Sequence, residues 1–292
     1  MARRATAVLL VCLLAAWPFA PPRPAAASGC ARGAARSPRG VEPGSPGTDQ
    51  VTGVLTELAR RLVGTTVPDT ITVPIRVHVI TDGQRRATDA SIKTQIDTLN
   101  AAYSGRYGGA DTGIRFRLDG TDVTTNAEWF TDPVANEAAM KTKLRTGDAQ
   151  TLNLYIAQLS RLILGYSTYP FWYDESPDLD GVVIDWRTLP GGSMRDFKLG
   201  YTGVHEIGHW LGLFHTFENG CQPPGDGVAD TPPEANATQG CPADKDTCSG
   251  DGSDPFHNFM DYSHDRCMRG FTAGQGTRLR EMWVAYRTKN DL

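Results

Sequence analysis

The chain has 292 residues and a formal net charge of -4, with 40% hydrophobic and 21% charged residues, an ordinary globular balance that fits two domains or one large one. Its 31 glycines and 19 prolines make it loop-rich, yet fall short of a disordered or collagen-like chain. The acidic balance argues against a nucleic-acid binder, whose mark is a basic patch. In chain order, residues 1–27 carry Arg3 and Arg4, a mostly apolar run to Ala20, and Ala25-Ala26-Ala27. That is a signal peptide cleaved after Ala27, with an apolar run short of the about 20 residues of a membrane span. General secretion fits Ala5-Thr6-Ala7 better than twin-arginine export, and a lipoprotein signal would want a larger aliphatic residue than Ala27 before Cys30. No later segment is long enough to span a membrane, so the expected location is extracellular.

Residues 28–66 read as a flexible N-terminal segment or a pro-segment, rich in Ala, Arg, Gly, Pro and Ser up to about residue 50. Within it, residues 51–63 carry a helical stripe of Val51, Val54, Leu55, Leu58, Ala59 and Leu62, a helix of the pro-segment or of the mature protein. Residues 71–80 alternate as a strand with Val73, Ile75, Val77 and Val79 on one face. A helix follows over 89–103, where Ile92, Ile96, Leu99 and Ala102 recur at helical spacing. Strands are expected over 114–118, 122–124, 152–157, 165–170 and 182–186, with helices over 137–144, 200–213 and 272–286. The fold class is therefore α+β, with a mixed twisted sheet and a C-terminal half dominated by loops. No internal repeat is visible.

Cys12 leaves with the signal, and Cys30, Cys221, Cys241, Cys248 and Cys267 remain. Four of these lie within 221–267, a stretch too poor in apolar residues to hold itself by a core, so cross-links there make physical sense. Four cysteines allow three pairings, and spacing does not choose among them. A structural zinc site is the weaker reading, because no C-x-x-C pair is present.

The chemistry is concentrated in residues 205–215, which read H-E-I-G-H-W-L-G-L-F-H. His205 and His209 are four apart, so on a helix they project from one face and can bind one ion. Glu206 then sits beside the ion, where it can hold and deprotonate a water. His215 reaches the same ion only if the helix stops and the chain turns, and Gly212 can supply that stop. Three imidazoles with an open fourth position describe one catalytic zinc ion. The bare H-E-x-x-H occurs by chance, but the extended spacing adds a glycine and a histidine at fixed positions.

The extended motif resembles that of the metzincin metallopeptidases. Asn258-Phe259-Met260-Asp261-Tyr262 is similar to their methionine turn. The wider string resembles the pappalysin branch, that of ulilysin-like enzymes and cytophagalysin. It includes Gly203-Val204 before the motif, Thr216-Phe217 and Gly220-Cys221 after it, then residues 225–232 (G-D-G-V-A-D-T-P), Cys267 and residues 271–275 (F-T-A-G-Q). The likeness runs from about residue 71 to the C-terminus and leaves 28–66 unmatched.

The resemblance implies a catalytic domain over 67–292, with an upper subdomain to about 213 and a loop-rich lower subdomain over 214–292. It implies His205, His209 and His215 as zinc ligands and Glu206 as the base that activates a zinc-bound water and then passes the proton to the leaving amine. Met260 would form the apolar pad under the metal. Tyr262 would assist at the metal or the oxyanion, its alternative being a packed aromatic. The same resemblance implies the interleaved disulfides Cys221-Cys248 and Cys241-Cys267. Asp226, Asp230 and Thr231 resemble a calcium loop, and hard oxygen ligands suit that ion. Asp244, Asp246, Asp251 and Asp254 form a second acidic group that reads more simply as a solvated loop.

Metzincin substrates lie extended along an edge strand, here residues 165–170, and Asp265 after the methionine turn would favour Arg or Lys just past the cut. His78 reads as structural, and Asn236-Ala237-Thr238 is a glycosylation sequon. Cys30 has three readings: a lipid anchor, a thiolate that fills the open zinc position in a latent form, or an unpaired thiol. The expected function is a secreted zinc endopeptidase acting on proteins or peptides. Its rivals are a silent binding module, against which the presence of Glu206 speaks, and a zinc amidase on a non-protein substrate.

Overall fold

In the computed structural model the described residues are Glu42, 46–160, 162–250 and 252–288. The expected signal peptide and Cys30 lie outside them. Before the sheet stands α1 (Thr48–Arg61), within the stretch read as flexible or a pro-segment. Its predicted stripe is the face that packs: Val51, Val54 and Leu58 are buried against Tyr169, Phe214, Met282 and Ala285. Arg61 adds a hydrogen bond to the Ala285 carbonyl at 3.1 Å.

The sheet comprises β1 (Ile71–Thr81), β2 (Ile114–Thr125), β3 (Leu152–Ala157), β4 (Gly165–Ser167) and β5 (Val182–Asp185), in the order β2-β1-β3-β5-β4. All pairs are parallel except β4, which runs antiparallel to β5 at one edge. A mostly parallel sheet needs both faces covered, and the strands alternate to serve both. Val73, Ile75, Val77 and Val79 of β1, Leu154 and Ile156 of β3, and Val182 and Ile184 of β5 enter the larger core. Ile80, Tyr155, Ala157 and Val183 enter a smaller core on the other face.

On the larger-core side lies α2 (Asp89–Tyr103), started by a reciprocal cap between Thr88 and Ser91. The smaller core is closed by α3 (Ala127–Thr131), through Phe130, and α4 (Glu137–Leu144), through Met140. The five-residue α3 carries no periodic stripe, which is why the sequence does not disclose it; Asn126 starts it by accepting from the Glu128 and Trp129 amides.

Two predicted strands merge in β2. The register shifts where Ile75 faces Leu118 and Arg76 faces Gly120, leaving Asp119 as an extra residue. That bulge breaks the alternation on which the sequence reading depended. The expected strand over 165–170 ends early, because the chain turns through a short 3₁₀ segment at Pro170–Trp172. His78 is structural as expected: buried, with Nδ1 on Asp122 at 2.8 Å and Nε2 on Asn153 at 2.9 Å.

Beyond α5 (Tyr201–Trp210) the chain is loop until α6 (Ala273–Met282), which a Thr272–Gln275 reciprocal cap begins and one turn of π-helix over Trp283–Arg287 continues. The disulfides Cys221-Cys248 and Cys241-Cys267 cross-link the loop region. Between them lies a polar core. Glu234 accepts from Thr216 Oγ1 at 2.8 Å and Thr238 Oγ1 at 2.9 Å and pairs with Lys245, which also reaches Asp254 at 3.2 Å. The Lys245 ammonium is thus the cation at Asp254, and Asp251 lies outside the described residues. No helix among the described residues is long and apolar enough to cross a membrane.

Candidate active site

The first part of the motif, His205 to His209, sits on α5, whose residues are buried throughout. Its start is held by Gln95, whose Nε2 donates to the Gly200 carbonyl at 2.9 Å, and by Tyr103, whose hydroxyl donates to the Val204 carbonyl at 3.0 Å. Its end is closed as the sequence predicts. Gly212 adopts φ 99°, the Gly212 amide donates to the His209 carbonyl and the Leu213 amide to the Gly208 carbonyl. This is a Schellman cap, and it reverses the chain so that His215 returns to the face bearing His205 and His209. Arg287 adds a clamp that the sequence does not reveal: Nη2 binds the Trp210 carbonyl at 2.9 Å while Nη1 binds Asp180, itself an acceptor for Trp210 Nε1.

The three imidazoles converge. His209 Nε2 lies 3.1 Å from His205 Nε2 and 3.1 Å from His215 Nε2. His205 Nδ1 faces the Phe259 carbonyl at 2.6 Å, and His209 Nδ1 faces the Leu213 carbonyl at 2.7 Å. A carbonyl only accepts, so these Nδ1 atoms carry the protons and the Nε2 lone pairs point at one another. Such a cluster is repulsive without a cation. Metal–nitrogen bonds of about 2.0–2.1 Å give a tetrahedron with edges of about 3.3–3.4 Å, close to the observed spacing. The donor set therefore fits zinc. Tyr169, absent from the sequence reading, brings its hydroxyl to 2.9 Å from His209 Nδ1.

Glu206, next to His205 on α5, is buried and lies against the sheet edge. A Cβ at Gly165 of β4 would stand 2.5 Å from Glu206 Cγ and 2.7 Å from Oε1. Met260 is fully buried under the site: a Cβ at Gly208, between the two helix histidines, would meet its sulfur at 2.5 Å. The turn holding Met260 is set by Asn258, which accepts from the Met260 amide at 2.9 Å and exchanges hydrogen bonds with Gln275. Tyr262 is packed with its ring centroid 5.0 Å from that of His215 and 5.6 Å from that of His205. One further residue enters the cluster, Glu42, whose carboxylate joins the three imidazoles in a four-membered group of possible metal ligands.

Asp226 and Thr231 line a separate cavity of about 270 Å³. Asp226 Oδ2 and Thr231 Oγ1 are buried without a well-formed hydrogen bond among the described residues. Burial pushes the Asp226 carboxyl up to about 7, partly offset by the Val228 amide, the nearby Thr231 hydroxyl and Arg278. Asp230 is otherwise engaged: its oxygens accept from Thr272 Oγ1 at 2.7 Å and the Gly274 amide at 2.8 Å, at the start of α6. Asp265 is buried and accepts from the Leu199 amide at 2.7 Å.

Comparison with known proteins agrees with this geometry. A sequence profile of the peptidase M43 family, described as pregnancy-associated plasma protein-A, matches residues 184–284. An extracellular metalloprotease of Neurospora crassa is 44% identical over 237 residues, covering 76% of this chain and 78% of the relative. Extracellular metalloprotease 1 of Coccidioides posadasii is 42% identical over 205 residues, covering 68% of this chain and 71% of the relative. Among solved structures, mirolysin in complex with compound 9 superposes with a TM-score of 0.67 at 29% identity, over 73% of this chain and 92% of that one. A promirolysin variant of Tannerella forsythia superposes with a TM-score of 0.69 at 25% identity, over 82% and 88%. With the three-histidine helix, the methionine turn and this breadth of likeness together, the chain belongs to the M43, or pappalysin, family of metalloproteases.

Proposed function

We propose that this chain is a secreted zinc endopeptidase that hydrolyses peptide bonds in proteins or peptides. The observation that carries the reading is the convergence of the His205, His209 and His215 Nε2 atoms, with Glu206 beside them at the sheet edge. Zinc held by the three imidazoles would supply Lewis acidity and lower the pKa of a bound water toward about 7. Glu206 takes the proton of the attacking water and delivers it to the leaving amine. β4 offers the outer edge of the sheet to an extended substrate, whose scissile bond then lies over Glu206. Tyr262 steadies the oxygen that gains charge, and Met260 keeps the floor apolar. Asp265 supplies negative charge for an Arg or Lys just after the cut. The signal-peptide reading of 1–27 and the two disulfides support export, as do relatives named extracellular. Asp226 and Thr231 would hold calcium, with Asp230 bracing the loop against α6.

One experiment tests the reading: casein hydrolysis by protein purified from a secreting host, with zinc quantified in wild type, Glu206→Ala and Tyr262→Phe. Hydrolysis by wild type and none by a zinc-loaded Glu206→Ala protein is expected, with turnover reduced in Tyr262→Phe. Undiminished hydrolysis by Glu206→Ala would overturn the mechanism. Mass spectrometry of the same digest reads the cleavage sites, and the absence of basic residues after the cut would remove Asp265 from specificity.

A further inference from the structure

Glu42 lies far from α5 in sequence, yet its carboxylate is buried among the three imidazoles. Its oxygens stand 3.3 Å from His205 Nε2, 3.2 Å from His209 Nε2 and 3.3 Å from His215 Nε2. Charge-assisted N–H···O contacts are shorter, about 2.7–2.9 Å. The observed separations match instead the edges, about 3.3–3.4 Å, of the tetrahedron that four ligands form around zinc. The chemistry agrees. His205 and His209 have their Nδ1 protons committed to carbonyls, so their Nε2 lone pairs face carboxylate lone pairs, and acceptors face acceptors only when a cation lies between them.

Glu42 is also close in sequence to a packed helix. Five residues separate it from α1, which starts at Thr48. α1 buries Val51, Val54 and Leu58 on Tyr169 and Phe214, and the Tyr169 hydroxyl touches His209. A short tether from a packed helix holds the carboxylate at high effective concentration over the site.

We propose that Glu42 is the fourth zinc ligand of the intact chain and keeps it latent. This rests on the zinc reading above. Three imidazoles and a carboxylate complete a four-coordinate site and leave no position for water, so hydrolysis requires release of the segment that carries Glu42. The contact differs from the thiolate blockade considered for Cys30, since one position takes one donor.

The test uses the full secreted chain in a Glu206→Ala background, which prevents self-cleavage, with and without Glu42→Ala or Cys30→Ala. Zinc content is measured first, and acetohydroxamate, a small zinc chelator, is then titrated calorimetrically. A carboxylate that occupies the position nine-tenths of the time weakens apparent affinity about tenfold, so Glu42→Ala should bind the chelator about tenfold more tightly or better, and Cys30→Ala no more tightly. Glu42→Gln, which keeps the side-chain length without the charge, should show the same gain. Equal affinity in zinc-loaded proteins with and without Glu42 would overturn the proposal, as would a gain from Cys30→Ala alone. Zinc in none of the proteins would overturn the metallopeptidase reading and this proposal with it, and the zinc analysis separates that failure from one at Glu42.

Discussion

Gly165 shows how a single missing side chain shapes the site. Its Cα lies so near Glu206 that a methyl group would overlap the carboxylate stem at 2.5–2.8 Å. The proposed base is therefore pressed between helix and edge strand. Gly165→Ala must displace it, and an ångström of misplacement can cost about a hundredfold in rate. The expected result is a fall in kcat of about that size with zinc content unchanged, because the atoms nearest to a Cβ at Gly165 all belong to Glu206. Wild-type turnover in a zinc-loaded Gly165→Ala protein would show that the contact does not position Glu206. The placement of His205, His209 and Glu206 together was legible in sequence, since one helical turn fixes their relation. Tyr169 and Glu42 were not, because their proximity to the imidazoles arises through contacts distant in the chain.

At the scale of elements, α5 and the turn after it are the scaffold of the three converging histidines. The turn depends on Gly212, which stands at φ 99° with Met282 packed where a Cβ would go, 2.5 Å from its Cγ. Gly212→Ala should cost about 1–3 kcal/mol from the backbone conformation, with crowding in addition. It should also weaken zinc retention by moving His215, which thermal melts and competition with a chromogenic chelator would measure. An unchanged midpoint with full zinc retention would count against this account of the cap. The glycine stop could be read from sequence because left-handed geometry favours that residue. Other elements were less readable. The β2 bulge hides one long strand as two short ones, and α3 is too short for periodicity to register. The Arg287 clamp on the Trp210 carbonyl joins the end of α5 to the last described turn of the chain and leaves no local pattern.

Across the whole molecule, the sheet and its helices are held by an apolar core that Phe259, Met268, Phe271 and Leu279 also enter, and the loop region between the disulfides by covalent and polar links. The interleaved disulfides close loops of 27 and 26 residues in sequence separation, where few apolar side chains are available. The calcium proposed at Asp226 and Thr231 would add a third fastening in this region. An ion binding only the folded state stabilises it by about 2.7 kcal/mol at a hundred times its Kd, which for a domain of this size raises Tm by roughly 5–10 °C. Zinc-loaded protein should show that rise on adding calcium, and Asp226→Asn should abolish it. Equal midpoints with and without calcium would exclude the site.

The sequence by itself determined the α+β class, most element positions and the helix-borne metal motif, because each depends on periodicity or spacing within a few residues. The resemblance it carried also supplied the disulfide pairing that the structure contains. Tertiary structure decided what depends on long-range packing. It assigned Lys245 as the cation beside Asp254 and directed Asp230 toward α6. It placed Glu206 against the Gly165 edge and brought the Glu42 carboxylate among three imidazoles. Such contacts form only when separate segments bury a common surface, so neither partner's local sequence records the other.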